Sequence, residues 1–168
     1  EVNVGASLCE HNLVSTARLI MEKAEQYGST IHLPYEVVVA TEFTSNPASI
    51  RVSNVHEIQE DEMILDLGPT AVEALGDVLK TCRTLVWNGP LGAFETSPFD
   101  KATVNLARIV AALTLEGSMI SVAGGGDTVA ALAHAGVRED FTYVSTAGGA
   151  FLEWMEGRSL PGVLALED

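Results

Sequence analysis

Apolar and polar positions alternate with two different periods along the chain. Between positions 10 and 26 the apolar residues Leu13, Val14, Ala17, Ile20, Met21 and Ala24 recur at helical spacing. Glu10, Arg18, Glu22, Lys23 and Glu25 lie largely opposite, and Gly28 follows as a C-terminal cap. Two short runs, Thr30-Ile31-His32-Leu33 and Val37-Val38-Val39-Ala40, read as strands separated by Pro34-Tyr35-Glu36. The stretch 44–62 is polar and poorly periodic apart from Ile50-Arg51-Val52, and reads as a surface excursion or a hairpin.

From residue 63 the pattern becomes regular. Met63–Asp66 is a strand, Leu67-Gly68-Pro69 a turn, and Thr70–Lys80 a helix with Thr70 placed to cap it. Thr84–Trp87 is a strand ending in Asn88-Gly89-Pro90-Leu91-Gly92. A helix of about four turns follows, with Val104, Leu106, Ala107, Val110, Ala111 and Leu113 apolar. Met119–Ala123 breaks into Gly124-Gly125-Gly126-Asp127-Thr128 and then the helix-favouring run Val129–Ala135. A last strand, Thr142–Ser145, leads through Thr146-Ala147-Gly148-Gly149 into Phe151–Met155, closed by Gly157; Leu160-Pro161-Gly162 begins a tail. Strands and helices in alternation predict an α/β fold, a mostly parallel sheet with helices on both faces in one domain.

Composition narrows the partners. With 168 residues, 47% hydrophobic and 19% charged, the chain is long enough for a core and too apolar for disorder. A net charge of −14 argues against nucleic acid or an anionic membrane, although a local nest of N–H groups can still bind a phosphate. Cys9 and Cys82 form no metal-like spacing, which points to a reducing, cytoplasmic setting. No apolar run approaches the ~18–20 residues of a membrane span. The opening Glu1-Val2-Asn3 carries no signal core and no initiator methionine, which suggests processing or a longer chain.

In a parallel sheet all strand C-termini share one edge, where ligands bind. Three glycine-rich turns are expected there: Asn88 to Gly92, Gly124 to Gly126, and Ala147 to Gly149. Strand, glycine turn and helix together present backbone N–H groups and a helix N-terminus to an anion. Asp127 is either a helix cap or a magnesium ligand, and Thr128 either a phosphate donor or a solvated first-turn residue. Asn88 is either a turn former or a phosphate contact, and Glu95 either a ribose contact or a surface carboxylate. His11, His32, His56 and His134 are scattered singly and read as surface or structural residues. The nucleophile elbow, the P-loop signature and the dinucleotide fingerprint are all absent from the sequence.

The motifs Val86-Trp87-Asn88-Gly89-Pro90-Leu91-Gly92-Ala93-Phe94-Glu95, Gly124-Gly125-Gly126-Asp127-Thr128, Val144-Ser145-Thr146-Ala147-Gly148-Gly149-Ala150 and Leu160-Pro161-Gly162-Val163 resemble those of phosphoglycerate kinase. So do Val4-Gly5-Ala6-Ser7-Leu8, Leu33-Pro34 and Val39-Ala40-Thr41-Glu42-Phe43. The resemblance runs from end to end, in family order. It implies a three-layer, Rossmann-like nucleotide-binding portion, residues 1–168, of a two-domain kinase that transfers phosphoryl between 1,3-bisphosphoglycerate and ADP in glycolysis. Full-length members are usually monomeric, with the 3-phosphoglycerate site on the N-terminal domain.

The resemblance further implies that Phe43, Leu65 and Ala93 line the adenine, and that Glu95 holds ribose. Asn88, Gly125, Gly126 and Thr128 meet the phosphates, and Asp127 holds Mg2+ with ATP or ADP. Gly125, Gly148 and Gly149 aim N–H groups at the transferring phosphoryl group. Three departures stand out. Ile64 occupies a usual glycine, Ala147 replaces the first glycine of Ser-Thr-Gly-Gly-Gly-Ala, and the Gly-Ala-Lys segment is missing, as is the N-terminal domain. The expectation is an incomplete domain, inactive and unstable by itself. The alternative is a non-catalytic nucleotide- or sugar-phosphate-binding module.

Overall fold

A computed structural model describes residues 2–145 and 148–165. They fall into two compact units, Glu1–Leu75 and Gly76–Asp168.

In the first unit a single 3-10 turn, His11–Leu13, enters helix α1, Val14–Tyr27. Gly28 ends it in the left-handed conformation, φ 69°, and its N–H reaches the carbonyls of Ala24 and Glu25, as the capping glycine predicts. The helical period is correct, but the predicted apolar face is unpacked: no residue of α1 is buried. Strand β1, Glu36–Ala40, lies between β2, Ile50–Asn54, and β3, Met63–Leu67, antiparallel to both. The excursion 44–62 therefore does contain an antiparallel partner, with Glu36 opposite Asn54 and Ala40 opposite Ile50. Thr30–Leu33, expected as a strand, is not one. It is exposed throughout, and both edges of β1 are already taken, so its backbone finds no ladder. Val37, Val39 and Ile58 form the core here, with Val55 and Ile64 against them.

Glu62 fastens this unit. Its carboxylate accepts from Arg51 Nε and Nη2, both at 2.7 Å, and from the Gln59 N–H at 2.8 Å, while its carbonyl accepts from the Ala6 N–H. The paired guanidinium, followed by the Gln59 bond, holds the Glu62 carboxyl below the ordinary glutamate pKa against the opposing effect of burial.

Helix α2, Pro69–Thr81, starts one residue earlier than expected. Thr70 does not cap it. The Thr70 N–H is taken by Glu36 Oε1 at 2.9 Å, a side chain from β1, and Pro69 at the first position has no N–H to satisfy.

The second unit alternates as the pattern predicts: β4, Thr84–Asn88; α3, Lys101–Leu115; β5, Ile120–Gly124; α4, Gly126–Ala135; β6, Tyr143–Ser145; α5, Gly148–Met155; and the short α6, Pro161–Leu164. The strands pair in parallel in the order β4-β5-β6. This is an α/β fold built on a parallel sheet, with the small antiparallel sheet confined to the first unit. Leu106, Ala107, Val110 and Ala111 of α3 and Ala131 and Leu132 of α4 are buried, with Trp87 and Ala123 of the sheet. Trp87 meets Phe141 edge to face, centroids 6.2 Å apart. The opposite side of the sheet is less covered: Val86 is 41%, Ile120 54% and Tyr143 61% exposed. Among the described residues no helix is long and apolar enough to cross a membrane.

Candidate functional site

Three strand ends stand level at the C-terminal edge of the parallel sheet. Asn88 of β4 is opposite Gly124 of β5, and Gly124 is opposite Ser145 of β6. Each strand then turns into a segment carrying expected site residues.

Gly125 is the pivot. It has φ 100° and ψ 142° and serves as N-cap of α4, a conformation that side-chain-bearing residues rarely adopt. A Cβ there would stand 3.4 Å from Asn88 Oδ1 and 3.5 Å from Thr128 Oγ1, so both polar side chains face this point. Gly148, the first residue of α5, sits directly on the backbone of Gly125: a Cβ at Gly148 would overlap Gly125 N and Cα. The N-termini of α4 and α5 are thereby brought together. Their unsatisfied N–H groups and aligned peptide dipoles make a positive pole that suits a phosphate.

Side chains around the pivot have settled roles. Thr128 is buried, and its Oγ1 accepts the Gly89 N–H at 2.7 Å, so it is not the solvated first-turn residue that its position allowed. Trp87 Nε1 donates to the Gly89 carbonyl at 2.6 Å, and the Leu91 N–H donates to Thr103 Oγ1 at 3.1 Å. The turn after β4 is thus tied on both its N–H and C=O sides. Asp127 is exposed at the second position of α4, and the N-cap is Gly125; the capping reading does not describe it. A carboxylate there lies near the positive end of the helix dipole.

Among the described residues no group of three or more His, Cys, Asp or Glu could hold a metal ion unaided. One exposed carboxylate beside a pole that suits phosphate fits a magnesium ion that arrives with a nucleotide, because phosphate oxygens complete the shell of a hard cation. Gly125 and Gly148 approach so closely that a methyl group on Gly148 would overlap the Gly125 backbone.

The remaining expected residues lie on other segments of the two units. Glu95 is exposed and Ala93 half-buried in the turn segment after β4. Phe43, in the segment after β1, is 53% exposed, and Leu65 is half-buried in β3; both belong to the first unit. Ile64 is half-buried in β3, packed against the first unit's core. Gly126 and Gly149 are exposed at the starts of α4 and α5. Thr146 and Ala147, including the Ala147 departure, lie outside the described residues. Sequence reasoning placed Gly89 in a glycine turn but did not see that its N–H and C=O anchor that turn. It also set His134 aside as solitary, whereas its Nε2 lies 2.8 Å from Asp100 Oδ2. The first had a signal, the indole two residues upstream; the second had none, since 34 positions separate the partners.

The family model described as phosphoglycerate kinase matches residues 1–158. A phosphoglycerate kinase of Novosphingobium aromaticivorans is 72% identical over 166 residues, which is 99% of this chain and 42% of that protein. One from Zymomonas mobilis is 67% identical over the same span and share. Among solved structures, phosphoglycerate kinase from Coxiella burnetii superposes with a TM-score of 0.87 at 38% identity, covering 94% of this chain and 40% of that one. The enzyme from Pyrococcus horikoshii gives 0.75 at 27%, covering 93% and 36%. The chain spans about two fifths of the length of the relatives it matches.

Proposed function

Because the chain belongs to the phosphoglycerate kinase family, we propose that it supplies the nucleotide side of reversible phosphoryl transfer between 1,3-bisphosphoglycerate and ADP. The observation that carries this reading is the seating of Gly148 on Gly125, which aims two helix N-termini at one point beside Asn88.

Each residue then has a physical task. Asn88 and the N–H groups of Gly125, Gly126 and Thr128 hold the nucleotide phosphates. Asp127 supplies the protein carboxylate for Mg2+, which when bound neutralises phosphate charge. Glu95 accepts from ribose hydroxyls, and Ala93 contacts the adenine. In transfer, a β-phosphate oxygen of ADP bonds to the phosphorus as its bond to the carboxyl oxygen of the donor breaks, releasing 3-phosphoglycerate and ATP. The N–H groups of Gly125, Gly148 and Gly149 stabilise the charge on the equatorial oxygens, a fixed-dipole contribution that needs no proton transfer.

The acceptor groups for 3-phosphoglycerate and the Gly-Ala-Lys lysine are not in these 168 residues. On this reading these 168 residues bind nucleotide without transferring, and transfer needs those missing groups in a full-length, cytoplasmic kinase. Calorimetry of that intact protein with Mg-ADP is the test. Binding in the micromolar-to-millimolar range is expected, with Asp127→Ala weakening it at least about tenfold while the thermal midpoint stays nearly constant. Wild-type protein that binds no nucleotide would overturn the reading. Binding without any transfer would favour a non-catalytic module.

A further inference from the structure

Helix α3 begins at an aspartate that does not cap it. Asp100 occupies the N-cap position, where an aspartate ordinarily accepts from an N–H two or three residues on, yet it makes no such bond. Its carboxylate turns to α4 instead, with Oδ2 lying 2.8 Å from His134 Nε2. A carboxylate only accepts, so Nε2 is the donor. The imidazole also meets the buried ring of Phe94 edge-on, with centroids 6.4 Å apart and planes at 68°.

Phe94 lies between Ala93 and Glu95, the residues assigned above to adenine and ribose. The segment 89–100 is therefore fastened to α4 at three points. Gly89 is held by Thr128 in the first turn of the helix, and Phe94 and Asp100 by His134 in its last. The same helix carries Asp127 and the phosphate-facing N–H groups.

We propose that His134 is a positioning residue for the nucleotide: it sets the spacing between the nucleoside contacts at 93–95 and the phosphate contacts at the start of α4. The proposal rests on the nucleotide reading of this site. His134 is 48% exposed at its side chain, and so open a polar contact adds little to global stability. Its effect belongs in ligand affinity and not in the melting temperature.

The test is steady-state kinetics and calorimetry on the intact protein. His134→Ala is expected to raise the nucleotide KM and Kd roughly three- to fivefold. The KM for 3-phosphoglycerate, kcat at saturating nucleotide and Tm stay unchanged. Asp100→Ala gives part of the same effect, and adding it to His134→Ala brings less than the two single effects combined, because the residues act through each other. His134→Gln, whose amide can still donate to Asp100, recovers part of the loss. An unchanged nucleotide KM in His134→Ala overturns the proposal. So does a fall in Tm with equal rises in both KM values, which marks a structural role. Asp127→Ala serves as the control. If wild-type protein binds no nucleotide, the site reading fails along with this one; if Asp127→Ala weakens binding and His134→Ala does not, only the positioning role fails.

Discussion

A methyl group at Gly148 would land on the backbone of Gly125, so the close approach of the two helix starts depends on the absence of one carbon atom. Gly148→Ala is expected to cost about 1–3 kcal/mol of stability through overpacking. It should also lower kcat about 10–100-fold, because the N–H groups shift relative to each other. Denaturant titration and kinetics on the intact protein check both, and unchanged kcat would remove the seating from the mechanism. Thr128 offers a second single-residue test. Thr128→Val keeps the shape but leaves the Gly89 N–H without its acceptor, at about 1–2 kcal/mol, measurable by urea unfolding. Asp127, Gly125 and Gly126 were legible in the sequence because a glycine turn after an apolar strand is a local signal. The Thr128–Gly89 bond was not, since it joins residues 39 apart.

Among the elements, the antiparallel sheet of the first unit depends on Glu62 bridging β2, the 57–59 turn and the N-terminal segment. Its folded-state pKa lies below the ordinary 4.5, first because of the Arg51 hydrogen bond. The unfolded state thus binds the proton more readily than the folded one. The stabilisation is complete above pH ~4.5 and is lost as pH falls through the depressed folded value. Urea midpoints measured from pH 7 down to pH 3 should decline through this window. In Glu62→Gln that part of the decline should vanish and the neutral-pH midpoint should be lower. A wild-type curve parallel to that of the variant would assign the acid sensitivity elsewhere. Helix periods were the most legible part of the chain: α3, α4 and the glycine cap after α1 lie where the pattern puts them. Strands were less so, because an apolar run such as Thr30–Leu33 becomes a strand only if a neighbour accepts it.

At the scale of the molecule, both units carry exposed apolar surface. Val86, Ile120 and Tyr143 lie exposed on the sheet of the second unit, and Ile20 and Met21 on α1. Expressed alone, the 168-residue chain should self-associate through such surface despite its charge of −14. Light scattering would show mass above 17.8 kDa, and Ile120→Ser with Tyr143→Ser should reduce it. A monodisperse monomer with a cooperative thermal transition would contradict this expectation.

The linear sequence by itself determined the fold class, the family and the order of the glycine turns, because these rest on local periodicity and on short motifs of neighbouring residues. Tertiary structure alone decided that β1 runs antiparallel to both neighbours, that Glu36 serves the start of α2, and that the apolar face of α1 is left unpacked. It also decided that Gly148 rests on Gly125 and that His134 reaches Asp100 and Phe94. Apart from the bare face of α1, each of these is a contact between residues distant in the chain. Such contacts are selected by which surfaces remain available once the elements pack, and no local pattern encodes that availability.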